Sequence, residues 1–249
     1  MVVPSIFHTT MPNETILVAG LSNREFLEKY ARAGRVGLCG GVTLIDKAIA
    51  RATAADENQS LSSWSHAFLF QGQRRDDHHW VIESDLQINR KHIRLGAQEN
   101  RISKFFDEGF YTTLAVLDFD LPEPVVEVLL SEGLELVASR VRYSMRELVG
   151  TLIALRHPGL RGQENLLARE KSMYCSAFIQ HLFRKAGLDL APGINGKNTT
   201  PEDISRTLVP HVTYVLKRDA APNKLEVLRG KVHQRVRARI EKIKAVRKG

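Results

Sequence analysis

Nucleophilic chemistry in this chain falls to two cysteines, Cys39 and Cys175, with nine histidines as candidate bases. Around Cys175 the spacing predicts a helix over residues 174–185, with Ser172 placed to cap it and Gly187 in the closing position. Cys175, Phe178, Leu182 and Ala186 recur at i, i+3, i+7 and i+11, which makes one continuous apolar face with the cysteine in the first turn. A thiol there meets the partial positive charge of backbone N–H groups that have no intrahelical partner. That field favours thiolate, and the same N–H groups can hold an oxyanion beside the sulfur. The spacing fits a buried core cysteine equally well, since free cysteine is among the most buried residue types. Cys39, in Leu38-Cys39-Gly40-Gly41, follows no capping residue and reads as a packing residue.

A thiol nucleophile needs a base, and the base needs a partner that orients it. His78 and His79 fall in a polar loop tip, and His8, His92, His157 and His233 have no distinguishing context. His181 lies six residues beyond Cys175, about 240° around the helix, and faces elsewhere. His66 opens an apolar run and shares its face with Phe68 and Phe70, whereas His211 opens the last apolar run. Spacing leaves the choice between these two open.

The elements that must position these residues follow from periodicity and breakers. Residues 25–33 are helical in composition and stop at Gly34; residues 37–41 hold three glycines, a turn or close-packing signal. Residues 43–53 have helical spacing and residues 55–63 are polar. Residues 66–70 and 80–84 read as strands joined by a polar connection, a hairpin with a long tip. Residues 111–119 predict a strand. Pro122 and Pro124 open a helix running toward Gly133, residues 134–143 read as another strand, and residues 145–155 as a helix. After a Gly/Asn/Thr-rich loop at 193–200, a helical turn starts at Pro201, and residues 211–216 form a last strand. The pattern is α+β.

Composition bounds the answer. At 249 residues, 43% hydrophobic and 26% charged, the chain can bury a sizeable core and is neither disordered nor collagenous. No apolar run approaches the ~20 residues of a membrane span, and the first residues lack a signal-peptide pattern. Two cysteines fit a reducing compartment, so the expectation is a cytoplasmic protein, export by a dedicated secretion system being the alternative. The net charge is +8, but residues 224–249 carry ten Lys and Arg against Glu226 and Glu241, so the rest of the chain balances. That tail keeps apolar residues at 3- and 4-residue spacing and predicts a basic amphipathic helix. The expected division is therefore one domain over residues 1–222, its core at about 35–216, and a helical tail over 223–249. A neutral body argues against nucleic acid as the partner.

The run Tyr174-Cys175-Ser-Ala-Phe-Ile-Gln-His-Leu-Phe-Arg-Lys-Ala-Gly187 resembles the nucleophile helix of the NlpC/P60 superfamily of papain-like cysteine hydrolases. Trp64-Ser65-His66-Ala-Phe-Leu-Phe70 and Trp80-Val-Ile-Glu83-Ser84 resemble that family's histidine strand and following polar strand. Here they precede the cysteine, the order of the circularly permuted branch that includes YiiX/YaeF-like and lecithin:retinol acyltransferase-like proteins. Thr199-Thr-Pro-Glu-Asp203 resembles a turn common in that branch. Residues 85–165 match only in outline.

The resemblance implies a permuted papain-like α+β fold, an antiparallel sheet packed on the nucleophile-bearing helix. It makes Cys175 the nucleophile, His66 the general base and Glu83 the residue orienting the imidazole. Which of Glu83 and Ser84 shares the His66 face depends on the register of the strand pair. Tyr143 matches a pocket tyrosine of relatives and is expected to touch substrate. His211 would restore the unpermuted order but lacks a following polar strand. No cofactor and no metal are implied. The expected activity is hydrolysis or acyl transfer on an amide, ester or thioester, with an acyl, peptide or lipid substrate. The tail is expected either to meet an anionic membrane or to pack on the body. The rival class is an inert binding protein that holds phosphates or a membrane through that tail.

Overall fold

The chain's structure, a computed structural model, is described for residues 13–41, 64–89, 92–140 and 174–218. Elements follow in the order β1 (Glu14–Val18), α1 (Asn23–Tyr30), β2 (Val36–Gly41), β3 (His66–Gln73), β4 (His79–Asn89) and β5 (His92–Arg101). A 3₁₀ turn at Ile102–Phe105 leads to β6 (Tyr111–Asp118), α2 (Glu123–Ala138), α3 (Cys175–Lys185), α4 (Pro201–Ser205) and β7 (Val212–Lys217). The class is mixed α+β, with a seven-stranded sheet in the order β1-β7-β6-β2-β3-β4-β5. Its neighbours pair antiparallel except β1 with β7, which run parallel at one edge. The unit holding this sheet ends at Lys217.

Alternation along the strands sends their side chains into two apolar layers. Val36, Leu38, Ala67, Leu69, Ile82, Ala115 and Leu117 meet α2 and α3 through Leu129, Phe178, Ile179, Leu182 and Phe183. Cys39, Phe68, Phe70, Val81, Leu114 and Val116 face the opposite way, onto Phe26 and Leu27 of α1 and onto Ile102 and Phe105. Each fully buried Leu or Phe contributes about 1.5–3 kcal/mol by area removed from water. Helix α3 is therefore held on the sheet by Phe178, Ile179, Leu182 and Phe183.

One expectation is narrowed and one needs correction. Gly37–Gly41 is not a turn but the body of a central strand, and the glycine signal there is close packing. A Cβ on Gly37 would fall within the ring of Phe68. Nor does Gly133 end its helix: residues 134–138, expected in a strand, continue α2 to Ala138. Gly133 is buried in that helix because the missing side chain admits Ile82, whose Cδ1 would lie 3.0 Å from a Cβ there. Close packing offsets the roughly 1 kcal/mol that glycine costs a helix interior. Strands β1 and β5 and the 3₁₀ turn are not legible in the sequence. The predicted helices over 43–53 and 145–155, Ser172, Tyr143 and the tail over 223–249 lie outside the described residues. Among the described residues no helix is long and apolar enough to cross a membrane.

Candidate active site

The hairpin of β3 and β4 changes register along its length. Near the tip Gln73 pairs with His79 and Gly72 with Trp80; further in, Phe70 pairs with Val81 and Leu69 with Ile82. Gln71 is the extra residue, a bulge next to Gly72, whose φ of +87° is the left-handed conformation that glycine adopts without strain. The inner register carries Phe68 opposite Glu83, on the face of His66. Continued without the bulge, the tip register would put Ser84 there instead.

Glu83 is fully buried, and its Oε2 lies 2.5 Å from Nε2 of His66. The imidazole packs beside the rings of Phe68 and Phe105 at centroid distances of 6.1 and 6.3 Å, which confines its plane. With Nε2 engaged by Glu83, Nδ1 is the nitrogen left for Cys175, whose charge and hydrogen bond act on the ring. Helix α3 packs on the face of Ala67 and Leu69, opposite His66. His66 opens β3 and Cys175 opens α3, so each stands at the first position of its element.

The seat of α3 explains why the cysteine begins the helix. Tyr174 occupies the N-cap position with extended backbone and gives no side-chain cap. The ring instead sends its hydroxyl to the carbonyl of Thr199 at 2.5 Å, and Ser176 Oγ donates to the same carbonyl at 2.8 Å. Thr199 is held in turn by the next residue. Thr200 caps α4 in a reciprocal box, its Oγ1 accepting from Asp203 N and its N–H donating to Asp203 Oδ2. The Thr-Thr-Pro-Glu-Asp turn thus fixes a carbonyl against the first turn of the cysteine helix. The amides of Cys175, Ser176 and Ala177 have no intrahelical partner, as at any helix start. Gly187 closes the other end with φ +83°.

Behind His66 stands a chain of charges that local sequence patterning does not reveal. Glu83 Oε1 accepts from Lys104 Nζ and from Asn100 Nδ2, each at 2.6 Å, and Lys104 Nζ also reaches Asp85 Oδ2 at 2.6 Å. Burial pushes the Glu83 carboxyl up, but the Lys104 ammonium and the hydrogen bond and charge of His66 outweigh it and bring it down to about 2. For His66 burial acts to lower the value. The charge and hydrogen bond of Cys175, with Glu83 and Asp85, reverse this and hold the imidazole well above its ordinary range. Lys104 is likewise held above its ordinary value: Glu83 and Asp85 overcome its burial. His66, Glu83 and Asp85 bring their ligand atoms within 4.8 Å of one another, a set that could take a cation. The positive charge beside both carboxylates is the ammonium of Lys104. One signal is available in the sequence: Asp85 stands two residues from Glu83, hence on the same face of the strand. Lys104 and Asn100 arrive through β5 and the 3₁₀ turn, in the stretch without a legible pattern.

Of the rivals, Cys39 is a cross-strand neighbour of His66, and the two histidines sit elsewhere. Cys39 is buried in the α1 layer, and its strand position pairs with that of His66. His211 Nδ1 lies 2.7 Å from the Val209 carbonyl, its ring packs near Phe119 at 5.3 Å, and burial holds it below its ordinary value. His181 reaches Glu132 of α2 at 2.8 Å. The structure therefore brings together Cys175, His66 and Glu83, while Tyr143 lies outside the described residues. No protein-family model matches the chain, and no curated protein matches its sequence.

Proposed function

We propose that the chain is a cysteine hydrolase or acyltransferase, with Cys175 as nucleophile, His66 as general base and acid, and Glu83 orienting His66. The observation that carries this reading is that the imidazole of His66 is bonded to the buried carboxylate of Glu83 and lies under the influence of the Cys175 side chain. A helix-initiating thiol, an imidazole raised toward its protonated form and a carboxylate held ionised are the parts a thiolate–imidazolium pair requires.

In the reaction the Cys175 thiolate attacks the carbonyl carbon of an amide, ester or thioester. The tetrahedral oxyanion sits against the Cys175 backbone N–H at the start of α3. The His66 imidazolium gives its proton to the departing amine, alcohol or thiol, leaving a thioester on Cys175. His66, now neutral, takes a proton from water or another acceptor as that acceptor attacks the thioester, and the thiolate–imidazolium pair is restored. Glu83 stays ionised throughout and keeps the ring turned toward the sulfur.

The fold reading that accompanies this is the permuted papain-like arrangement. It draws support from the chain order, with histidine strand β3 and carboxylate strand β4 ahead of the cysteine helix α3. The acyl, peptide or lipid nature of the substrate and an anionic-membrane role for the tail belong to the same proposal.

The test is alkylation by iodoacetamide across pH, with the modified cysteine located by peptide mass. Cys175 is only 5% exposed, so a small reagent is the right probe. Fast labelling of Cys175 below pH 7, slowed by His66→Ala, is the expected result. Labelling that rises only near the ordinary thiol range of about 8.5 and ignores His66→Ala would refute the enzyme reading. It would leave the binding-protein class standing.

A further inference from the structure

Lys104 sets its ammonium against Oε1 of Glu83, the carboxylate oxygen that His66 does not use. Its side chain is 18% exposed, its ammonium is 2.6 Å from Glu83 Oε1 and from Asp85 Oδ2, and it lies 5.2 Å over the ring of Phe105. Phe105 stacks on Phe68 at 4.2 Å, so the 3₁₀ turn that carries Lys104 is bonded to the same aromatic layer that confines His66. We propose that Lys104 is a positioning residue of the active site, acting through Glu83 by keeping that buried carboxylate ionised and aimed at His66. This rests on the cysteine-hydrolase reading and adds to it a residue that the resemblance does not supply.

The physical need is plain. A fully buried carboxylate without a cation takes up a proton. Protonated Glu83 could still hydrogen-bond His66 but would no longer stabilise an imidazolium, and the thiolate would lose its counter-ion. The groups around the carboxylate narrow the choice of cation. From β3 comes His66, from β4 Asp85, from β5 the neutral Asn100, and from the 3₁₀ turn Lys104. From β6 comes Tyr111, whose phenol burial and the nearby Cys39, Glu83 and Asp85 hold in its neutral form against the pull of Lys104. Cys39 of β2 adds no positive charge. Among the described residues, Lys104 and His66 are the cations that act on Glu83, and His66 is the group whose charge must be sustained.

Removing Lys104 has two opposed effects on His66. Loss of a nearby positive charge alone would make the imidazole more basic. Protonation of Glu83 would make it less basic. Lys104 is the largest influence lowering Glu83, so the second effect is the expected one, and the two predict opposite displacements of the labelling profile.

The experiment uses the full chain and follows iodoacetamide labelling of Cys175 from pH 5 to 9. Wild type is compared with His66→Ala, Glu83→Gln, Lys104→Met, Lys104→Arg and the double variant Lys104→Met/Glu83→Gln. Lys104→Met is expected to move the half-maximal rate to higher pH and to slow labelling at pH 6 about tenfold, the equivalent of one pH unit. Lys104→Arg keeps the charge and restores most of the rate. The double variant removes both buried charges together, so it tests the idea even where Lys104→Met alone does not fold. It should label at least as fast as Glu83→Gln, because Lys104 then has no buried carboxylate at position 83 to keep ionised and only its direct charge on His66 is lost. A Lys104→Met profile that overlays wild type or moves to lower pH overturns the inference. So does a double variant slower than Glu83→Gln. In either case, fast and His66-dependent labelling of wild type leaves the enzyme reading intact; slow, His66-independent labelling of wild type overturns both.

Discussion

Nε2 of His66 and Oε2 of Glu83 stand 2.5 Å apart across the β3–β4 hairpin, with the carboxylate fully buried. A buried pair of this kind writes itself into the pH dependence of stability. Glu83 titrates near 2 when folded and near 4.5 when not. Its contribution is therefore present above pH 4.5 and lost as pH falls toward 2. His66 is raised in the fold from 6.5, so its contribution is present below pH 6.5 and lost as pH climbs through the raised value. Melting temperatures measured from pH 3 to 9 should show both limbs in wild type. Glu83→Gln should lose the acid limb and weaken the alkaline one. Parallel profiles for the two proteins would contradict the ion pair.

The bulge at Gln71 and Gly72 decides which side chain reaches His66, and it rests on one backbone conformation. Gly72→Val forces a β-branched residue to φ +87°. This should cost about 1–2 kcal/mol and favour the regular register that offers Ser84 in place of Glu83. Urea denaturation gives the first effect, and slowed labelling of Cys175 the second. Deleting Gln71 in the same variant shortens β3 by the bulged residue. It should bring Glu83 back without the strained turn, and failure to recover labelling would count against the register account.

Gly37 and Phe68 share a volume that holds one side chain. Gly37→Ala puts a methyl group inside the Phe68 ring. It should destabilise by about 3 kcal/mol, at the upper end for overpacking. Gly37→Ala/Phe68→Leu should recover a good part of this, a non-additivity that thermal unfolding measures directly. Additive losses would mean that the strand shifts instead of the ring.

The Thr199 carbonyl is held by two hydroxyls, from Tyr174 and Ser176. Tyr174→Phe or Ser176→Ala alone leaves it one partner and should cost about 1 kcal/mol. The double variant strands a buried carbonyl, which adds about 1–3 kcal/mol, so its loss should exceed the sum of the singles. Because this carbonyl seats the first turn of α3, labelling of Cys175 should slow in the double variant. Stability losses that merely add would show that water replaces the hydroxyls.

Much of this arrangement is legible in local chemistry alone. Helix α3 can be read from its i, i+3, i+7 spacing and closing glycine, because those features act within one turn of backbone. The strands of His66 and of residues 111–118 are legible as short apolar runs between breakers, and the mixed α+β class follows. Gly37 leaves two readings open and Gly133 misleads, for one reason. A glycine announces that something requires a missing side chain, but whether that is a turn or a neighbour such as Phe68 or Ile82 lies in another part of the chain.

Pairing is beyond local patterning. Register is a relation between strands, and a one-residue bulge exchanges Glu83 for Ser84 without changing any local preference. The cation behind Glu83 is hidden for the same reason: Lys104 lies 21 residues away and reaches the carboxylate only after β5 has folded back along β4. Residue types and their spacing suffice for a helix-initiating cysteine and a strand histidine. That these two come under each other's influence, with a buried carboxylate and its lysine behind the imidazole, follows from the folded chain, because burial and long-range pairing set both the geometry and the charges.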